Sequence, residues 1–275
     1  MKSALKAALL SIASTLVLSN VATADQLEDV KSRGILSVGV KNDYRPFGYI
    51  DAAGDTIGFE IDLAKYIAEK IIGPGAEVEL VPVVASNRIE LLNAGRIDLI
   101  IATLGVNEDR KKVIDFTEEF YSMAGLVLMA PKGGSWPEWT AVEGKTLCGI
   151  QGNLYNRTLE ETLKAKLLLF PGTAEMFSAY EGGRCEAIAF DGPILQAKLA
   201  EGTWGEKNEL PLPAYDYSPI AGGVRKGEPA FLKAVNDAIL TAEASGFLLD
   251  AEAKYEMGES DYMRERAEKA KAAGF

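Results

Sequence analysis

Short apolar runs alternate with stretches of helical period along most of the chain. This alternation confines it to α/β lobes with largely parallel sheets. Residues 35–40, Ile-Leu-Ser-Val-Gly-Val, read as a strand. Over residues 59–72, Ile61, Leu63, Ala64, Ile67, Ala68 and Ile71 recur near the helical period, so a helix is predicted there, ended by Gly73-Pro74-Gly75. Further strands are predicted over 78–84, 98–102 and 126–130, with a short helix over 88–94 closed by Gly95. The loop-like Gly133-Gly134-Ser135-Trp136-Pro137 then breaks the series. A second strand–helix series runs from Thr146 to about Tyr217 and contains the Pro-rich Leu210-Pro-Leu-Pro213 towards its end. A strand over 220–225 and a long helix over 230–244 follow, and the charged tail, 250–273, is expected to be a solvated surface helix. At roughly 100–200 residues per domain, 275 residues suit one large domain or two modest ones.

Composition removes several classes of chemistry. The chain has no histidine, which eliminates Ser-His, Cys-His and His-metal schemes. Zinc, copper and haem sites lose their commonest ligand, so no metal and no cofactor is expected. With 29 Lys+Arg against 40 Asp+Glu the net charge is -11, and an acidic surface repels phosphate backbones, so nucleic acid is not an expected partner.

The first 24 residues read as an address. Lys2 and Lys6 precede an apolar stretch from Ala7 to about Leu18, and Ala22 and Ala24 suit signal-peptidase cleavage after Ala24. A core or membrane helix is the alternative, but the run is short for a bilayer. No cysteine stands at the cleavage point to take a lipid, and no later stretch is long and apolar enough to span a membrane. Export suits the two cysteines, Cys148 and Cys185, as a disulfide. Both sit beside predicted strands that parallel pairing could bring together. The closed loop of about 38 residues would be worth roughly 4 kcal/mol in the chain-entropy model. Two buried free thiols are the alternative.

Five motifs, in order, carry a resemblance. They are Arg33-Gly-Ile-Leu-Ser-Val-Gly-Val40 with Asp43-Tyr-Arg-Pro-Phe-Gly-Tyr49; Gly58-Phe-Glu-Ile-Asp-Leu-Ala64; Gly95-Arg-Ile-Asp-Leu-Ile100 leading to Arg110 and Asp115-Phe-Thr117; Gly149-Ile-Gln-Gly-Asn153; and Gly183-Arg-Cys-Glu-Ala-Ile-Ala-Phe-Asp191. From about Arg33 to Phe247 the chain resembles the periplasmic solute-binding proteins, family 3, that deliver polar amino acids to ABC importers. The resemblance implies a type II periplasmic binding protein fold: two α/β lobes joined by two hinge strands, with a ligand cleft between them. The implied division is a signal peptide over 1–24, a first lobe over 25–124, a second over 125–218, and a return to the first over 219–275. The implied partners are an L-amino acid and a permease, and the protein is expected to be a periplasmic monomer.

A zwitterion in a cleft needs both charges compensated, because an unpaired buried charge is costly. Arg110 matches the family's grip on the α-carboxylate, where a planar bidentate donor is suited. Without the resemblance it would read as a surface arginine beside Lys111 and Lys112. Asp191 matches the carboxylate that holds the α-ammonium; its alternative role is an N-cap for the helix after Pro193, worth about 1 kcal/mol. Tyr44 matches an aromatic that stacks on the ligand, with ordinary packing as the alternative. Thr103, Gly105, Asn153 and Leu154 match further contacts, the last two at a helix N-terminus suited to anions. The family usually has a hydroxyl where Gly105 stands, Thr where Asn107 stands, and often Thr or Ser where Leu154 stands, so those three positions lack expected hydroxyl donors.

Two more cations, Lys41 and Arg88, match positions that in some relatives meet a side-chain carboxylate. They would repel lysine or arginine. The alternative is that both are solvated. The resemblance thus leans to glutamate or aspartate, with a neutral polar amino acid such as glutamine or cystine still open. A cyclohexadienyl dehydratase-like enzyme on the same fold is the rival, because acidic residues are abundant. The set Tyr44, Arg110 and Asp191 favours a binding protein without catalysis.

Overall fold

Two long antiparallel strands organise the computed structural model, which describes residues 25–275. The expected signal peptide, residues 1–24, lies outside the described residues. Asp115–Pro131 and Asp216–Val224 pair from Asp216 against Leu126 to Val224 against Asp115. On one flank the strands Leu99–Ile101, Ile35–Val40 and Glu77–Pro82 run parallel, joined to the long pair where Gly223 meets Ile100. On the other flank Ala187–Phe190, Thr146–Ile150 and Lys166–Phe170 run parallel, joined where Ile188 meets Met129. Two parallel blocks thus hang on one pair of crossing strands. That is the two-lobed type II binding-protein architecture with its hinge. The pairing slips between Asp216 and Tyr217 and on both sides of Ala221, and such irregularities bend and twist a strand.

Helices cover each block because their apolar faces need cover. Phe59–Ile72 buries Ile61, Leu63, Ala64, Ile67, Ala68 and Ile71 against Ile35–Val40 and Pro229–Ala244. Burial of its large side chains contributes about 1.5–3 kcal/mol each. Thr173–Glu181 packs on Thr146–Ile150, and Gly192–Leu199 lies over Asp115–Pro131. Cys148 and Cys185 form the expected disulfide, with Cα atoms 5.6 Å apart. It ties Thr146–Ile150 to the turn before the neighbouring parallel strand. Among the described residues no helix is long and apolar enough to cross a membrane.

Two expectations need correction. The strand read over 126–130 is only the end of Asp115–Pro131. The tail is not a solvated helix but two helices, Phe247–Lys254 and Asp261–Ala272. The second starts at Ser260, whose hydroxyl accepts from the Met263 N–H at 3.3 Å. It buries Met263, Ala267 and Ala270, a stripe at i, i+4 and i+7 hidden in the sequence by the charges around it. Arg266 fastens that helix to Glu243 and Glu118.

Candidate functional site

A narrow cavity of about 10 Å³ lies between the two blocks. Arg88, Thr103, Arg110, Met123, Asn153, Leu154, Tyr155, Asp191, Ser218 and Ile220 line it. That is far below the roughly 300–1,000 Å³ of usual ligand pockets, so the two walls stand nearly in contact.

The first block supplies the cations. Arg88 opens the helix Arg88–Asn93, and is 2% exposed. Its guanidinium Nη1 donates to the carbonyls of Ala102 and of Thr103, the latter at 3.3 Å, and among the described residues its Nε has no partner. Burial lowers its pKa, while Tyr44, Glu60 and Asp191 pull it back up. Glu60 sits at the second position of the helix Phe59–Ile72 and is fully buried. Its Oε1 accepts from the Thr103 N–H at 2.7 Å and the Tyr121 hydroxyl at 3.1 Å; Oε2 is unpartnered. Burial pushes its pKa up to about 7. The Thr103 backbone is left-handed (φ 48), a rare conformation for a β-branched residue, and the bond to Glu60 holds it there.

Arg110 lies on the one-turn helix Glu108–Lys111. Asn107, where the family has Thr, caps this turn by accepting from the Arg110 N–H at 2.8 Å. The guanidinium spans the cleft: Nη1 donates to the Gly105 carbonyl at 2.7 Å and Nη2 to the Gly152 carbonyl of the other block at 2.9 Å. Burial lowers its pKa and the charge of Arg88 lowers it further, against Asp191. Two guanidinium groups thus stand on one small cavity.

The second block supplies the carboxylate. Asp191 occupies the N-cap position of Gly192–Leu199, but its side chain makes no capping bond. Pro193 within the first turn removes a donor that a cap would serve. Asp191 Oδ1 instead accepts from the Tyr155 hydroxyl at 3.0 Å, and that hydroxyl accepts from Asn153 Nδ2 at 2.6 Å. Burial raises the Asp191 pKa to about 7, which the Tyr155 bond and the nearby Arg88 and Lys41 counteract.

The two blocks touch closely. Gly152 has φ +81, and a Cβ there would come within 2.8 Å of the Ser86 backbone, so only glycine permits this approach. Opposite it, Leu154 fills the space that a side chain at Gly105 would need.

Of the sequence-predicted residues, Arg88, Thr103, Arg110, Asn153, Leu154 and Asp191 meet on the cavity wall. Gly105, Lys41 and Tyr44 do not line it. Gly105 lies just behind Leu154 and Arg110. Lys41 is not solvated: it is fully buried, its Nζ donating to the Val83 carbonyl at 3.2 Å, 3.5 Å from Asp43 Oδ1 and 3.9 Å from the Tyr44 ring centroid. Burial lowers its pKa to about 8. The Tyr44 ring meets Phe190 edge-on at 5.4 Å, and its hydroxyl is unpartnered. Sequence reasoning passed over Met123, Tyr155, Ser218, Ile220 and the supporting Glu60. Only Glu60 carried a local signal, a carboxylate between the apolar Phe59 and Ile61 at a helix start.

The fold and the charged interlobe cavity define a two-lobed ligand-binding protein. Residues 36–259 match the family described as bacterial extracellular solute-binding proteins, family 3, and the chain belongs to that family. It is 30% identical over 225 residues to the ABC transporter glutamine-binding protein GlnH of Bacillus subtilis, covering 81% of each chain. It is 25% identical over 234 residues to the glutamate/aspartate import solute-binding protein of Salmonella typhimurium, covering 82% of this chain and 77% of that one. Among solved structures it resembles the ancestral amino acid-binding protein AncCDT-1, a precursor of cyclohexadienyl dehydratase, with a TM-score of 0.74 and 28% identity, over 83% of this chain and 98% of that one.

Proposed function

We propose that the protein captures L-glutamate or L-aspartate by lobe closure and delivers it to an ABC importer permease. The observation that carries this reading is the opposition of Arg110 and Asp191 on one cavity, from different blocks. Arg110 would grip the α-carboxylate and Asp191 the α-ammonium, so the ligand favours the closed form by touching both lobes. Thr103, Asn153 and Leu154 complete the wall, with Gly105 behind it. Arg88 supports an acidic side chain: among the described residues its side chain donates only to main-chain carbonyls, and its Nε is unpartnered. A ligand carboxylate would satisfy it. Lys41 adds positive charge from behind the wall, and Tyr44 adds packing.

The relative named for glutamine supports a second reading, a neutral amide ligand at the same site. The likeness to a dehydratase precursor makes a catalytic reading the third alternative. The paired compensation of a zwitterion favours binding without turnover. The reading includes export through residues 1–24, a monomer in the periplasm, and lobe borders at residues 124/125 and 218/219.

Thermal unfolding of residues 25–275, refolded to remove bound ligand, tests it against all common amino acids. A ligand at 100 times its Kd adds about 2.7 kcal/mol. A shift confined to glutamate and aspartate is expected. A shift with glutamine alone moves the assignment to the amide. No shift with any amino acid, together with turnover of prephenate or arogenate, replaces binding by catalysis.

A further inference from the structure

We infer that Asp43, positioned by Lys41, forms a closure latch with the second block, which holds the lobes together through a contact outside the cavity. This rests on the proposed binding by closure.

The helix Thr173–Glu181 belongs to the second block, and its N-cap residue is Gly172, which has no side chain to cap it. Its first N–H groups therefore need a partner from elsewhere. Asp43, from the first block, supplies one. Its Oδ2 accepts from the Thr173 N–H at 2.9 Å. The Thr173 hydroxyl lies 3.1 Å from the Asp43 main-chain oxygen and 3.2 Å from Oδ2, so its single proton goes to one of them. A carboxylate at a helix N-terminus also meets the positive end of the helix dipole.

The flanking residues hold Asp43 in place. The buried ammonium of Lys41 lies 3.5 Å from the other carboxylate oxygen, Oδ1. Tyr44 turns its ring from Lys41 to the edge of Phe190 on the second block. None of the three lines the cavity. Lys41 is thus a positioning residue for the latch, and Asp43 is the missing cap of a helix in the opposite lobe.

A contact made only in the closed form raises apparent affinity for every ligand by the same factor. Asp43→Ala is expected to weaken each amino acid that binds by roughly five-fold, matching the about 1 kcal/mol of a lost cap. The ranking of ligands should not change. Thr173→Pro removes the N–H and the hydroxyl while proline remains compatible with the first helical position. It should weaken binding by the same factor, and the double variant by no more than either single one. Calorimetry reads all three. Hydrogen exchange of the ligand-free protein is the independent arm: residues 173–181 should exchange faster in Asp43→Ala than in wild type. A changed ratio of glutamate to glutamine affinity would make Asp43 or Lys41 a ligand contact and overturn the latch. So would unchanged affinity in both single variants. If wild type binds no amino acid, the proposed function falls, and exchange alone judges the latch: unchanged exchange overturns it.

Discussion

The two walls of the cleft are built to opposite specifications. The first block presents Arg88 and Arg110, both with guanidinium groups on main-chain carbonyls. The second presents a single anion, Asp191, braced by Tyr155 and Asn153. Neither wall compensates a zwitterion by itself. Bringing the walls together without a ligand buries charged groups that lack full partners, as the lone Nε of Arg88 illustrates among the described residues. In the proposed function a zwitterion would remove that cost, so the division of charge between lobes would make closure depend on the ligand. The proposed latch at Asp43 pulls the other way and favours closure whether or not ligand is present.

Deleting either pole should break the comparison most. Arg110→Ala or Asp191→Ala leaves a buried charge unpaired, with an expected loss of about 3–5 kcal/mol, or roughly two to four orders of magnitude in affinity. Calorimetry should find the loss similar for every amino acid that binds. Arg88→Gln is more selective. It should weaken glutamate by roughly 10–100-fold, as for a lost charge-assisted bond, and glutamine far less. Equal losses would make Arg88 a support of the strand end at Thr103 instead.

Proton linkage comes next in size. Asp191 has a raised pKa of about 7 in the ligand-free fold, and an ammonium needs it ionised. Affinity should therefore fall as pH drops below about 7, by up to roughly ten-fold per unit, with protons released on binding. Calorimetry in buffers of different ionisation enthalpy measures that release, and Asp191→Asn should abolish the Asp191 part. The ligand-free protein has the opposite trend. Glu60, also raised to about 7, and Asp191 keep protons that the unfolded chain gives up. Their contribution to stability is fully present below the unfolded carboxyl pKa of about 4 and is lost as pH rises through about 7. The smallest effect expected is for Tyr155→Phe. It removes one hydrogen bond to Asp191, about 1 kcal/mol or roughly five-fold in affinity, and should shift the Asp191 pKa further up.

What could be read in advance was local. The helix Phe59–Ile72 and the strand Ile35–Val40 have the bounds that periodicity predicts, because their apolar spacing is complete within the segment. The strand Asp115–Pro131 was half hidden, since Asp115, Glu118 and Glu119 break the apolar run. Its pairing partner lies about a hundred residues away, as Tyr121 against Ile220 shows. The site divides the same way. Arg110 and Asp191 stood out as charges beside apolar strands within a recognisable order of motifs. Tyr155, Met123, Ser218 and Ile220 reach the cavity only through tertiary contacts that no spacing encodes. Lys41 shows the limit of reading by position: its place in the sequence suggested a ligand contact, but its ammonium turns to Asp43 and the Val83 carbonyl.

Ser218 and Ile220 belong to one of the crossing strands and also line the cavity. In the proposed function, a ligand held there would rest on the axle of the molecule. Rotation about an axle displaces points in proportion to their lever arm. Groups on the strands hardly travel, while groups off them sweep through longer arcs. With closure as proposed, the arrangement would work as mechanical gearing, in which a small change of angle at the bound molecule becomes a larger displacement at the outer surface of each lobe.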